Sequence, residues 1–183
     1  LRVNDTTLMC NGEIYNHGFL KSELTNDVNF IGQSDCEPIV HMLDTNVDKK
    51  FLCNSLDGVF AIVAMKGDTV FAARDPIGVR PLYYGIDSDD GSLAFSSEVK
   101  ALQSFCEIVQ EFPKGHYYTS ETHKFYCYNK IASPVNEYIS YNPQTLKVLL
   151  ESSVKKRLMS ERPIGFFLSG GLDSSLISAI GAK

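Results

Sequence analysis

The sequence contains no tryptophan among its 183 residues. It has no apolar run near the roughly 18 residues that cross a bilayer as a helix. A membrane partner is therefore not expected. Nor is there an excess of basic charge: 17 Lys and Arg stand against 22 Asp and Glu, for a net charge of -5. Nucleic-acid binders concentrate basic residues, so that partner class is disfavoured. No C-x-x-C pair occurs among Cys10, Cys36, Cys53, Cys106 and Cys127. The histidines, His17, His41, His116 and His123, show no ligand spacing either. Both absences argue against a zinc centre. An odd, scattered set of cysteines suits a reducing, cytoplasmic compartment. No basic segment followed by an apolar one opens the chain, so no signal peptide is expected. What is present is ordinary for a globular protein: 44% hydrophobic and 21% charged residues, with length enough for a sizeable core. The chain starts at Leu1 in a strand-like segment and stops at Lys183 inside an apparent helix, so a fragment is expected.

Thr6 to Cys10 reads as a short strand that ends at the turn-forming pair Asn11-Gly12. Ser34 with Glu37 three residues on is a capping-box pattern. Ile39, Val40, Met42 and Leu43 then form one helical face. Asp57 to Lys66 and Thr69 to Ala73 flank Gly67-Asp68 as a hairpin of two buried strands. Leu82 to Gly85 with Ser92 to Phe95, and His116 to Thr119 with Lys124 to Tyr128, predict two more hairpins. Residues 129–142, with Pro134, Pro143 just beyond, and several asparagines, read as a linker. Leu146, Leu149, Leu150, Val154 and Leu158 then recur at helical spacing, and Pro163 ends that helix. Ile164 to Leu168 is wholly apolar apart from Gly165, as a buried parallel strand would be. A glycine loop and a helix follow, the opening of an α/β domain. The basic run Lys155-Lys156-Arg157 reads as a solvated helix face. All five cysteines read as buried and unreactive.

Two segments carry chemistry. Leu168-Ser169-Gly170-Gly171-Leu172-Asp173-Ser174-Ser175 follows the predicted strand and opens a helix. Its glycines allow positive φ and a close backbone approach. Free N–H groups at a helix start bind anions. Asp173 suits a phosphate site only if a divalent cation, Mg²⁺, bridges them. No Gly-Lys-Ser/Thr ending marks a Walker loop. From glycine and serine alone, a plain capped turn stays an open alternative. The second segment is Asn11-Gly12-Glu13-Ile14-Tyr15-Asn16-His17. An asparagine amide beside a glycine N–H can form an oxyanion hole. A simple β-turn is the more economical reading of these residues alone.

Whole strings add to this. S-G-G-L-D-S at 169–174 resembles the pyrophosphate loop of ATP pyrophosphatases. N-G-E-I-Y-N-H at 11–17 resembles the glutamine-site signature of class II amidotransferases of the asparagine synthetase type. So do Arg74 to Tyr84 (R-D-x-x-G-x-x-P-L-Y), Ser97 to Leu102 (S-E-x-K-A-L) and Phe112 to Tyr117 (F-P-x-G-x-Y). Val154 to Leu168 is similar to that family's approach to its ATP loop. The order of the motifs resembles glutamine-hydrolysing asparagine synthetase.

The resemblance implies an α+β N-terminal-nucleophile-type glutaminase, two stacked antiparallel sheets flanked by helices, over 1–128. It implies a linker over 129–142 and the start of an α/β ATP-pyrophosphatase domain over 143–183. Asn11 and Gly12 would form the catalytic oxyanion hole. Asn11, Gly12, Glu13 and Asp35 would bind glutamine, with Asp35 taking its α-ammonium. Leu168 through Ser175 would bind ATP, with Asp173 at Mg²⁺. Arg74–Asp75 and Glu98–Lys100 read as scaffold. The implied reaction amidates aspartate to asparagine through aspartyl-AMP, giving glutamate, AMP and pyrophosphate, in a full-length enzyme that forms a homodimer. The nucleophile would be a chain-opening cysteine upstream of Leu1, its own α-amino group the base. The fragment alone would then complete neither reaction. The alternatives are a β-lactam-synthetase-like ligase without glutaminase activity, and a non-catalytic ligand-binding piece.

Overall fold

Side chains alternate between the two faces of a strand, and the covering of both faces decides the layering here. The computed structural model describes residues 1–24, 28–131 and 142–183. They fall into two compact units, Leu1–Ala132 and Ser133–Lys183.

The first unit runs β1 (Arg2–Val3), β2 (Thr6–Ile14), α1 (His17–Leu24), α2 (Glu37–Asp44), α3 (Lys49–Ser55), β3 (Gly58–Lys66) and β4 (Thr69–Arg74). Then come β5 (Tyr83–Asp87), β6 (Leu93–Ser96), β7 (Cys106–Glu111), β8 (His116–Thr119) and β9 (Lys124–Cys127). One antiparallel sheet has the order β1-β2-β3-β4-β8-β9, and a smaller one the order β6-β5-β7. On β3, Phe60, Ile62 and Ala64 join a core with Ile39, Val40 and Leu43 of α2 and Leu52 of α3. The intervening Ala61 and Val63 face a second core. There Ala72 and Tyr118 meet Leu82, Tyr84, Leu93, Phe95 and Phe112. The centre of the large sheet is thus covered on both sides, which is why β3 reads as almost continuously apolar. The three predicted hairpins are present, as is the helix carrying Ile39 to Leu43. The layers are the stacked antiparallel sheets with flanking helices that the motifs imply.

Several details differ from the sequence-based expectation. Asn11-Gly12 is no turn. Both residues lie inside β2, opposite Ala61 and Phe60 of β3. A Cβ on Gly12 would collide with the Val59 carbonyl oxygen and sit 2.7 Å from Phe60 Cα. Glycine is there for the close approach of two backbones. The capping box is also absent. The helix starts at Glu37 with Cys36 as its N-cap. Glu37 instead accepts hydrogen bonds from the amides of Ile31 and Gly32. Cys36 is buried at that cap, Cys53 in α3 and Cys106 at the start of β7, whereas Cys127 is exposed on the edge strand β9. Asp48 caps α3 through a hydrogen bond from Phe51 N at 2.7 Å. Asp48→Ala is expected to lower stability by about 1 kcal/mol, read by urea denaturation.

The second unit holds α4 (Pro143–Lys156) and α5 (Leu172–Gly181). Asn142 caps α4, accepting from Gln144 N and Thr145 N. Most of the predicted linker, 132–141, lies outside the described residues. Ile164 to Leu168 is not a strand, and Phe167 is fully exposed. A strand needs a hydrogen-bonded neighbour, and among the described residues of this unit none is a strand. Phe166 is instead seated on Gly181, where any Cβ would meet its ring.

Candidate functional site

The direction of backbone N–H groups in β2 organises the first site. Leu8 N donates towards β1, to Leu1 O at 2.8 Å. Ile14 N donates to the Asp35 carboxylate at 2.7 Å. Tyr15 N donates to Asp57 O beside β3. Because this direction alternates with each residue, the N–H of Gly12 lies on the same edge as that of Ile14. β1 pairs only with Thr6 and Thr7, so it does not cover that edge at Gly12. The result is an edge amide at Gly12 and, one two-residue repeat of about 7 Å further along, a carboxylate held by Ile14.

Asn11 and Glu13 are exposed on one face of β2. Asn11 Nδ2 donates to Ser97 Oγ at 3.4 Å, just beyond β6. Ser97 was visible in the sequence only as the start of a family-like string, and its contact with Asn11 is made between the two sheets. Asn16 anchors the end of the segment. Its amide donates to Ser55 O at 2.8 Å and accepts from Asp57 N at 3.0 Å. Asp35 therefore comes together with the strand that carries Asn11 and Gly12, despite a separation of 21 residues between it and Ile14.

The turn after β4 supports this region from below. The buried Asp75 accepts from the amides of Phe60, Ile77, Gly78, Val79 and Arg80, at 2.6 to 3.3 Å. Arg74 donates to Arg80 O, Gly78 O and Phe112 O, and pairs with Glu111 at 2.7 Å. The two residues brace the backbone, and Arg74 has Glu111 as its carboxylate partner. Glu98 and Lys100 form an exposed ion pair at 2.6 Å.

Cys10 packs against the core that contains Cys36. The neighbouring Cys36 side chain holds the Cys10 thiol below its usual range, with the Arg80 charge assisting. The Cys10 side chain, with burial, pushes the Cys36 thiol up.

In the second unit, Gly170 has φ +84° and Gly171 caps α5. Ser169 Oγ and Ser174 Oγ share a hydrogen bond of 2.9 Å, and Ser174 Oγ also donates to Gly171 O. Ser175 N closes the first helical turn onto Gly171 O. The amides of Leu172, Asp173 and Ser174 have no intrahelical acceptor and stand at the loop mouth. Leu168 and Leu172 are exposed beside them. Asp173 is exposed in the first turn. Among the described residues no cluster of three or more His, Cys, Asp or Glu could hold a metal ion. One hard carboxylate beside a helix start with free amides would fit Mg²⁺ together with a bound phosphate, since that ion takes one or two carboxylates plus phosphate oxygens.

Residues 145–183 match the family described as asparagine synthase. A probable glutamine-hydrolysing asparagine synthetase of Schizosaccharomyces pombe is 46% identical over 182 residues, covering 96% of this chain and 32% of the relative. The glutamine-hydrolysing asparagine synthetase 1 of Saccharomyces cerevisiae is 42% identical, with 96% and 31% covered. The chain thus spans about a third of the length of the curated relatives it matches. Among solved structures, the glutamine phosphoribosylpyrophosphate amidotransferase from B. subtilis superposes with a TM-score of 0.60 at 19% identity, covering 100% of this chain and 46% of that one. That likeness identifies the fold as the N-terminal-nucleophile glutamine amidotransferase type. Residues 2–104, more than half of the chain, match the family described as glutamine amidotransferase domain, and the chain belongs to that family.

Proposed function

We propose that the protein carrying this chain releases ammonia from glutamine and uses ATP to amidate aspartate, giving asparagine, glutamate, AMP and pyrophosphate. The observation that carries the reading is the β2 edge, where a free-edge amide at Gly12 and the Asp35 carboxylate lie one repeat apart. A glutamine laid along this edge has its side-chain carbonyl at Gly12 and its α-ammonium at Asp35. The Gly12 N–H and the Asn11 amide then donate to the oxyanion of the tetrahedral intermediate. Glu13, exposed on the face of Asn11, lines the same glutamine. The hydrolysis asks for a thiolate whose own free α-amino group acts as its base. In this reading the attacking thiolate comes from outside residues 1–183.

The second half of the reaction belongs to the 168–175 loop. The Leu172, Asp173 and Ser174 amides and the Ser169 and Ser174 hydroxyls receive phosphate oxygens, and Asp173 holds Mg²⁺. The bound metal would neutralise charge on the departing pyrophosphate. The names of the relatives support aspartate as the acceptor. The domain division at 1–128, 129–142 and 143–183 and a cytoplasmic location are part of this reading. Five free thiols support a reducing compartment.

Two measurements on the natural full-length enzyme test it. Asp35→Asn is expected to weaken glutamine use by about 10- to 100-fold, as for the loss of a charge-assisted contact. Synthesis from added ammonia should stay near normal. An equal fall in both activities would show that Asp35 does not serve glutamine. ATP–pyrophosphate exchange should require aspartate, and exchange driven only by another acid refutes that acceptor.

A further inference from the structure

We propose that Glu37 and Lys21 are positioning residues for glutamine: together they clamp the loop before α2 and hold Asp35 at the β2 edge, without touching the substrate. This deepens the reading of Asp35 given above and rests on it. The loop, residues 28–36, contains no helix or strand. Ile31, Gly32 and Gln33 are exposed along it. Such a segment keeps one shape only where its backbone groups find fixed partners.

The partners come from two helices. The Glu37 side chain, 3% exposed, turns back from the first turn of α2. Its Oε1 accepts from Ile31 N, and both of its oxygens accept from Gly32 N, at 3.2 and 3.1 Å. Lys21 reaches over from α1. Its Nζ donates to Gly32 O at 3.4 Å and stands 3.8 Å from Glu37 Oε2. Gly32 is therefore gripped at its amide by a carboxylate and at its carbonyl by an ammonium. Phe30 joins the clamp, its ring centroid 5.3 Å from Lys21 Nζ and 5.0 Å from the His41 ring, which it meets edge-on. His41 Nε2 in turn lies 3.9 Å from Glu37 Oε1.

Asp35 sits between the two grips, three residues after Gly32 and two before Glu37. Its own carboxylate accepts from Ile14 N at 2.7 Å. The two acids are close in sequence, yet their surroundings separate their duties. Glu37 is buried, engaged by two amides and flanked by a cation, so it offers no charge to an incoming ammonium. Asp35 is only half-buried and faces the strand edge. Asp35 meets the α-ammonium, and Glu37 with Lys21 governs where it stands.

The test compares Glu37→Gln and Lys21→Met in the natural full-length enzyme. The new amide turns an NH₂ group towards the Gly32 N–H, donor against donor. The KM for glutamine should rise about tenfold or more, as for a misplaced contact, with kcat within about twofold. Ammonia-driven synthesis should stay unchanged. Lys21→Met keeps the stem over Phe30 and loses only the cation. Its KM should rise about two- to fivefold, the size of one part-exposed ion pair, and Lys21→Arg should restore it. If Glu37→Gln does not fold, Lys21→Met carries the same tests. Combined with Asp35→Asn, neither substitution should weaken glutamine use further, because the clamp acts through that carboxylate. Losses that add, or an equal fall in glutamine- and ammonia-driven synthesis, overturn the clamp. In the full chain, the ¹⁵N–¹H resonance of Ile14 should shift in both variants, and an unmoved resonance also overturns it. If Asp35→Asn leaves glutamine use intact, the reading of Asp35 fails, while the Ile14 resonance still decides whether Glu37 and Lys21 place that carboxylate.

Discussion

Asp75→Ala is expected to destabilise the N-terminal unit by about 3–5 kcal/mol, the range for removing one partner of a buried charged network. The carboxylate accepts from five backbone amides spread over β3 and the 77–80 turn. Alanine leaves those donors facing a void, and each buried amide left unpaired costs about 1–3 kcal/mol. Arg74 would also lose the turn that its guanidinium grips, since two of its acceptors are Gly78 O and Arg80 O. Asp75→Asn keeps the shape but turns an NH₂ group towards N–H donors, so it should recover little. Far-UV circular dichroism across a urea titration reads the loss. A change below about 1 kcal/mol, the size of one ordinary hydrogen bond, would mean that the turn closes without this carboxylate.

Gly12→Ala is the second large effect, because it acts on fold and site together. The obstacle to a methyl group is backbone, the Val59 carbonyl and Phe60 Cα. No side chain can rotate away to admit it. β2 must shift from β3, at a cost of about 3 kcal/mol, the upper range for overpacking. The same shift moves the Gly12 N–H out of line, and losing one oxyanion donor costs about 100- to 1000-fold in turnover. In the natural enzyme, glutamine hydrolysis should collapse while ammonia-driven synthesis survives in the folded fraction. Alanine accepted with normal hydrolysis would refute both the close approach and the oxyanion role.

The hairpins and α2 were legible because their apolar patterns match the faces they bury. β3 and β4 show it best, with both faces covered and Val59, Ile62, Val63, Thr69 and Val70 among their residues. Asn11-Gly12 misled because a turn-forming pair describes local preference, while the nine-pair ladder with β3 decides the conformation. The same tertiary requirement explains the glycine. β7 went unread because only Cys106 is buried in it, and five of its six residues lack the burial that makes a pattern. Ile164 to Leu168 misled in the other direction: apolar content marks a segment fit for burial, but strand pairing is a property of neighbours. At the site, the residue types were legible from whole motifs. The contact of Asn11 with Ser97 was not, since nothing in the intervening positions encodes that these two residues meet.

The placement of Asn11 and Gly12 in mid-strand has a further consequence. The amides of Asn11 and Glu13 point into the ladder with β3, so they can exchange with solvent only when that ladder opens. Loops can lose order piecemeal, but a strand zipped from Thr6 to Ile14 opens with the central sheet. Deuterium uptake at these two amides then reports the global opening of the unit. Warming should leave the edge fully shaped until the sheet gives way, and then remove it abruptly.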